Sequence, residues 1–156
     1  SYDFFFQTPA WSPDGSSLAY MSLVEQAARN DGSSQIHVVN LADSSDIALT
    51  ADTWANIHPK WSKDGKQLAF LSERDGTYNT FALSIMTRDG SGVQRVTEPV
   101  FSESAVFSWS PDGTQIVLGD TWVPATVYLI DIASGEMKIL LDLHDGLQPA
   151  SPDWQP

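Results

Sequence analysis

Hydrolysis by a side-chain nucleophile needs a hydroxyl or thiol with a base beside it. The 156-residue chain has three histidines, His37, His58 and His144, and no cysteine. No histidine lies four residues from another, which removes the paired-histidine zinc motif. No Gly-x-Ser-x-Gly elbow occurs, so the usual way of presenting a nucleophilic serine is missing. The glycine-rich stretch Asp89-Gly90-Ser91-Gly92 has no helix after it to receive a phosphate. Asp31, Asp75 and Asp89 each precede a glycine, but they lack the alternating oxygen ligands and closing Glu of a calcium loop. Without cysteine there are no thiolate metal sites and no disulfides. No catalytic residue, metal ligand or cofactor is expected, and aromatic and basic side chains in loops remain the candidates for binding.

What must position those side chains is a repeat. Pro9-Ala10-Trp11-Ser12-Pro13-Asp14-Gly15 recurs as Pro59-Lys60-Trp61-Ser62-Lys63-Asp64-Gly65 and as Phe107-Ser108-Trp109-Ser110-Pro111-Asp112-Gly113. A fourth start, Ser151-Pro152-Asp153-Trp154-Gln155-Pro156, reaches only just beyond its Trp. A repeat of nearly fifty residues headed by Trp matches the length of one four-stranded propeller blade. Units are expected at about 8–50, 57–97 and 106–141, with 151–156 a partial fourth, in a single domain covering 1–156.

Within each unit, Trp ends a first strand and the Ser-Pro/Lys-Asp-Gly tetrad makes a tight turn. Asp bonds the backbone beyond it, and Gly takes a conformation that a Cβ disfavours. Second strands are expected at 18–21, 68–71 and 116–118, and third strands at 36–40, 80–86 and 127–132, where Val, Ile and aromatics gather. Fourth strands end at Thr50, Thr97 and Leu141. No sustained 3.6-residue period appears, so the fold class is all-β. The repeated Trp reads as packing between neighbouring units.

These residues resemble the TolB-like β-propeller family, a WD-like repeat whose blades carry Trp-Ser-Pro-Asp-Gly followed by an apolar strand. The similarity is fullest from Trp61 to Thr97, where Ser72-Glu73-Arg74-Asp75-Gly76 and Arg95-Val96-Thr97 also fit. Blade three departs from it at Gly119-Asp120-Thr121-Trp122-Val123-Pro124. The resemblance implies a six-bladed ring, a non-catalytic scaffold for protein–protein interaction, and periplasmic or extracellular placement, although the chain carries no signal peptide. It equally allows a fragment of a larger enzyme, a prolyl-oligopeptidase-like peptidase or a lyase, or a propeller that binds a small ligand or cation. Three blades cannot close a ring, so completion to six by a homodimer is expected.

Propellers bind through the loops joining strands four to one and two to three. The residues expected on that face are Phe5, Trp54, His58, Arg74, Tyr78, Phe101 and Trp122. The partner is expected to be a protein. Twenty acidic residues against eight basic give a net charge of −12, which repels a phosphate backbone and disfavours nucleic acid. No apolar run is long enough for a membrane helix. Six of the eight bases lie in the middle unit, leaving the outer two almost purely acidic.

Overall fold

The computed structural model describes residues 9–24, 33–74, 79–121, 125–143 and 154. Twelve strands form three antiparallel four-stranded sheets, each built from consecutive strands. The first contains β1 (Ala10–Trp11), β2 (Ser17–Val24), β3 (Ser33–Asn40) and β4 (Asp46–Ala48). The second contains β5 (Asn56–Trp61), β6 (Gln67–Ser72), β7 (Ala82–Thr87) and β8 (Gln94–Arg95). The third contains β9 (Val106–Trp109), β10 (Gln115–Asp120), β11 (Ala125–Asp131) and β12 (Met137–Leu143). No helix is present among the described residues, and the fold is all-β blades as expected.

The turn between first and second strands works as its residues dictate. Asp112 Oδ1 accepts from the Ser110 hydroxyl at 2.6 Å, the Thr114 amide at 3.0 Å and the Thr114 hydroxyl at 2.8 Å. Asp14 and Asp64 do the same in their blades. Gly15, Gly65 and Gly113 adopt φ of 69°, 69° and 73°. These carboxylates therefore hold the turn closed.

The donors favour the ionised form, with the Ser110 hydroxyl first, and they lower the Asp112 pKa to about 2. A carboxyl depressed in the folded state contributes stability above its unfolded pKa, near 4, that is lost as pH falls toward 2. Asp112→Asn is expected to flatten the stability-versus-pH curve between pH 4 and 2, read by thermal melts at fixed ionic strength. An unchanged slope would refute this.

Strand ends differ from expectation for a physical reason. β4 and β8 stop at Ala48 and Arg95, two residues early, because a bulge follows. Leu49 and Thr50 both donate to the Ile36 carbonyl, at 2.8 and 3.4 Å, and the Thr50 hydroxyl accepts the Ile36 amide at 2.9 Å. Val96, Thr97 and Leu83 repeat the arrangement. In the third sheet Leu141 stands where those threonines are and has no oxygen to offer. The register shifts there too, but pairing resumes and β12 reaches Leu143. β2 and β3 extend past the expected Met21 and begin before Ile36, since Leu23 and Val24 still pair with Ser34 and Ser33.

The core lies between sheets rather than within one. Between the first and second, Ala19 and Ile36 meet Trp61, Leu68, Phe70 and Met86. Between the second and third, Ala69, Leu71, Leu83 and Ile85 meet Phe107, Trp109, Ile116, Leu118 and Ile130. Each incoming Trp also donates its indole N–H to the carbonyl just before the preceding Trp. Trp61 reaches Ala10 at 3.1 Å, Trp109 reaches Lys60 at 3.1 Å and Trp154 reaches Ser108 at 3.3 Å. Trp61 and Trp109 are each 8% exposed, whereas Trp11 is 64% exposed.

Candidate functional site

The connection from β4 to β5 carries Asp52 and Trp54, and the end of β6 leads to Arg74. Asp52 Oδ2 takes an ion pair from the Arg74 guanidinium. Its Oδ1 accepts from the Trp54 amide at 3.1 Å and from Asn56 Nδ2 at 2.9 Å. Burial works to raise the Asp52 pKa, but Arg74, Trp54 and Asn56 together outweigh it and hold the group below the usual carboxylate range. Gln35 of β3 ties this connection back to the first sheet, donating to the Asp52 carbonyl at 2.8 Å and the Trp54 carbonyl at 3.2 Å. Ser34 adds a bond to the Asn56 carbonyl at 3.0 Å. Trp54 on this connection and Arg74 beyond the end of β6 are thus both half-exposed and both bonded to Asp52. Asn56 is 1% exposed, and its Oδ1 is the buried side-chain atom without a partner among the described residues. That oxygen is open to a donor from solvent or from a bound group.

His58 occupies a different position from the one expected of a loop residue. It lies inside β5 at a bulge, with φ of 55°, and its Nε2–H donates to the Glu103 carbonyl at 2.9 Å. Burial, aided by the nearby Lys60 charge, pushes its pKa down, while the Glu103 bond opposes this. A histidine more acidic in the folded state binds fewer protons than in the unfolded state. Its contribution to stability is therefore present above about pH 6.5 and lost below it. His58→Asn, which tolerates the left-handed backbone, is expected to remove the loss of stability between pH 6.5 and 5. Denaturant titrations at the two pH values check this, and an unaltered difference would count against it.

Phe101, expected on the loop face, is a core residue and is wholly buried. Its amide and carbonyl bridge to Phe81, and its ring meets Tyr128 edge-on at 5.6 Å. A connection that pairs with a neighbouring strand turns its side chains into the junction instead of outward. Phe5, Tyr78 and Trp122 lie outside the described residues. Among the candidates that fall within the described residues, Trp54 and Arg74 are the two brought to one place, at Asp52. Asp52, Asn56 and Gln35 were not anticipated; the Asp-x-Trp spacing, with Asp bonding the amide two residues on, was the available signal.

Two other features do not converge on chemistry. A groove of about 760 Å³ runs between the first two sheets beside the Asp64-Gly65-Lys66 turn. Its cations are engaged, Arg88 with Asp14 at 2.9 Å and Lys66 with Asp64 at 3.6 Å. Among the described residues no three His, Asp or Glu side chains gather as a metal site.

The sequence and fold match known proteins throughout. The TolB beta propeller domain model covers residues 2–156. An uncharacterized protein of Agrobacterium fabrum, Atu1656, is 28% identical over 94% of this chain and 50% of its own length. The uncharacterized peptidase YuxL of Bacillus subtilis is 29% identical over 70% of this chain and 16% of its own length. The solved structure of a putative TolB from Agrobacterium tumefaciens superimposes with a TM-score of 0.71 at 26% identity, over 88% of this chain and 50% of that one. The chain spans half or less of each of these relatives. Three tryptophan-headed blades, stapled indole to carbonyl, agree with the match over residues 2–156, and the chain belongs to the TolB beta propeller domain family.

Proposed function

We propose that the chain is a three-blade arc of a six-bladed TolB-type propeller and serves, without catalysis, as a rigid scaffold for a protein partner in the periplasm or outside the cell. The observation that carries the reading is the Trp54–Arg74 pair, fixed at one connection by Asp52, Gln35 and Asn56. A Trp and an Arg, both half-exposed and both bonded to Asp52, are residue types enriched at the centre of protein interfaces. The cellular placement rests on the resemblance to TolB alone. Ring completion by a second copy belongs to the same reading.

A second reading takes the arc as the propeller portion of a peptidase, favoured by the similarity to YuxL. It places the chemistry outside these 156 residues. The test is binding of purified chain to periplasmic extract, with the retained protein identified and then titrated. Trp54→Ala is expected to weaken that complex at least tenfold, with a melting temperature within a few degrees of the parent. Equal binding by the variant would overturn the scaffold assignment at this connection. Release of chromophore from dipeptide substrates by the purified chain would overturn the non-catalytic part.

A further inference from the structure

The Asp52 to Trp54 connection lies at one end of the first two blades. At the opposite end, two turns of the second blade, Asp64-Gly65-Lys66 and Thr87 to Ser91, face β3 and β4 of the first and enclose the groove of about 760 Å³. Both walls belong to blades that are neighbours within the chain. Val38 and Leu49 form an apolar floor, each half-buried and packed into the cluster between the two sheets. Ile47 stands beside them and is 60% exposed. It pairs across the strands with Val38, as Gln94 pairs with Ile85 and Lys138 with Leu129. These places are equivalent, because Val38, Ile85 and Leu129 each lie three residues before Leu41, Arg88 and Ile132, whose amides bond the Ser16, Lys66 and Thr114 carbonyls. An exposed isoleucine thus occupies a position that is polar in the other two blades.

The charges around the groove are unevenly matched. Arg88 is engaged by Asp14 at 2.9 Å and by the Ser16 hydroxyl at 2.9 Å, and Lys66 lies 3.6 Å from Asp64. Asp89 has no cation beside it among the described residues; its Oδ1 accepts from the Thr87 hydroxyl and from the amide and hydroxyl of Ser91. These donors, the Thr87 hydroxyl first, hold its pKa at about 2, so it is ionised at ordinary pH. The turn that carries it rests on the end of β4, since a Cβ on Gly90 would lie 3.0 Å from the Leu49 carbonyl oxygen. β4 is also the edge of its sheet. The Asn40 amide bonds the Ser45 carbonyl at 2.9 Å, and the alternation of an antiparallel pair then turns the amides and carbonyls of Asp46 and Ala48 away from β3.

We propose that an extended segment of a partner protein docks here, its backbone along β4, an aliphatic side chain against Ile47 and a lysine or arginine beside Asp89. A residue set opposite Ile47 points to the same side of the sheet, into the groove. Side chains two apart on the segment share that side, so one extended stretch presents both groups together. Backbone pairing supplies the hold, and the two side chains supply the selectivity. The cation follows from complementarity: both lining cations already have carboxylates, and Asp89 lacks its counterpart. This site and the Trp54 connection occupy opposite ends of the blades, so each binds independently of the other.

The experiment is fluorescence anisotropy of the labelled peptide Thr-Val-Thr-Lys-Thr-Val-Thr-Lys-Thr with the purified chain, circular dichroism confirming that each variant is folded. The peptide is expected to bind, and to bind more weakly in 0.5 M than in 0.05 M NaCl. An isomer of the same composition, Thr-Val-Lys-Thr-Thr-Val-Lys-Thr-Thr, puts valine and lysine on opposite sides and is expected to bind about fivefold more weakly. Ile47→Gln, which installs the residue of the second blade, is expected to weaken binding of the first peptide about tenfold. Asp89→Asn is expected to weaken it about threefold and to reduce the effect of salt. Asp112→Asn removes the same charge from a turn of the third blade outside the groove, and is expected to leave binding unchanged. Equal affinity for the two peptides, or equal losses from Asp89→Asn and Asp112→Asn, would mean that a basic chain merely adsorbs to an acidic protein, and overturns the proposal. Failure of the parent to bind overturns it too, as does an Ile47→Gln chain that binds like the parent. Trp54→Ala is expected to bind the peptide unchanged, so failure at this groove leaves the Trp54 result standing.

Discussion

Trp109→Ala is expected to lower the unfolding free energy by about 4 kcal/mol, and Trp11→Ala by less than about 1 kcal/mol, although both residues head the same motif. Trp109 is 8% exposed and packs in the cluster that joins the second and third sheets. Its removal leaves a cavity in the larger of the two cores and strips the Lys60 carbonyl of its indole donor. Trp11 has most of its ring in water already, so truncation removes little buried area. Urea denaturation of the two variants at one low concentration, where pairing is negligible, gives the comparison. Equal losses would mean that the tryptophans are held within their own blades rather than between blades.

Gly135→Ala is expected to cost about 3 kcal/mol, against about 1 kcal/mol for Gly113→Ala. The two glycines share nearly the same left-handed backbone, φ of 71° and 73°, so the conformational penalty is common to both. They differ in what a methyl group meets. At Gly135 the added Cβ would lie 2.4 Å from the Val96 carbonyl oxygen, which is backbone and belongs to the preceding blade. At Gly113 nothing lies within 4 Å. Because the Gly135 clash can be relieved only by moving one blade against the next, its cost measures how firmly the junction holds. Matching melting temperatures for the two variants would show that the third blade shifts freely on the second.

The period of the tryptophans and the Asp-Gly turns were readable because they rest on local rules. Asp112 needs only its own neighbours to bond, and Gly113 needs only its φ. Strand ends were harder. β4 and β8 end in a bulge that depends on Thr50 and Thr97 reaching across to the third strand, a contact fourteen residues away in each case. Phe101 was misplaced because its burial follows from backbone pairing with Phe81, which no composition rule reveals. Asp52 and Asn56 look like ordinary turn residues until Gln35 and Arg74 are brought to them by two different sheets. Trp54 and Arg74 stand out in the sequence by type alone, as an aromatic and a cation in short connections.

The indole-to-carbonyl staple runs one way along the chain: each blade grips the one before it through the later blade's tryptophan. Order in this molecule is therefore graded. β6 and β7, in the middle sheet, are buried on both sides almost throughout and cannot separate without breaking two grips. Among the described residues the first sheet is gripped once, by Trp61, so it is the sheet expected to separate first while the rest stays assembled.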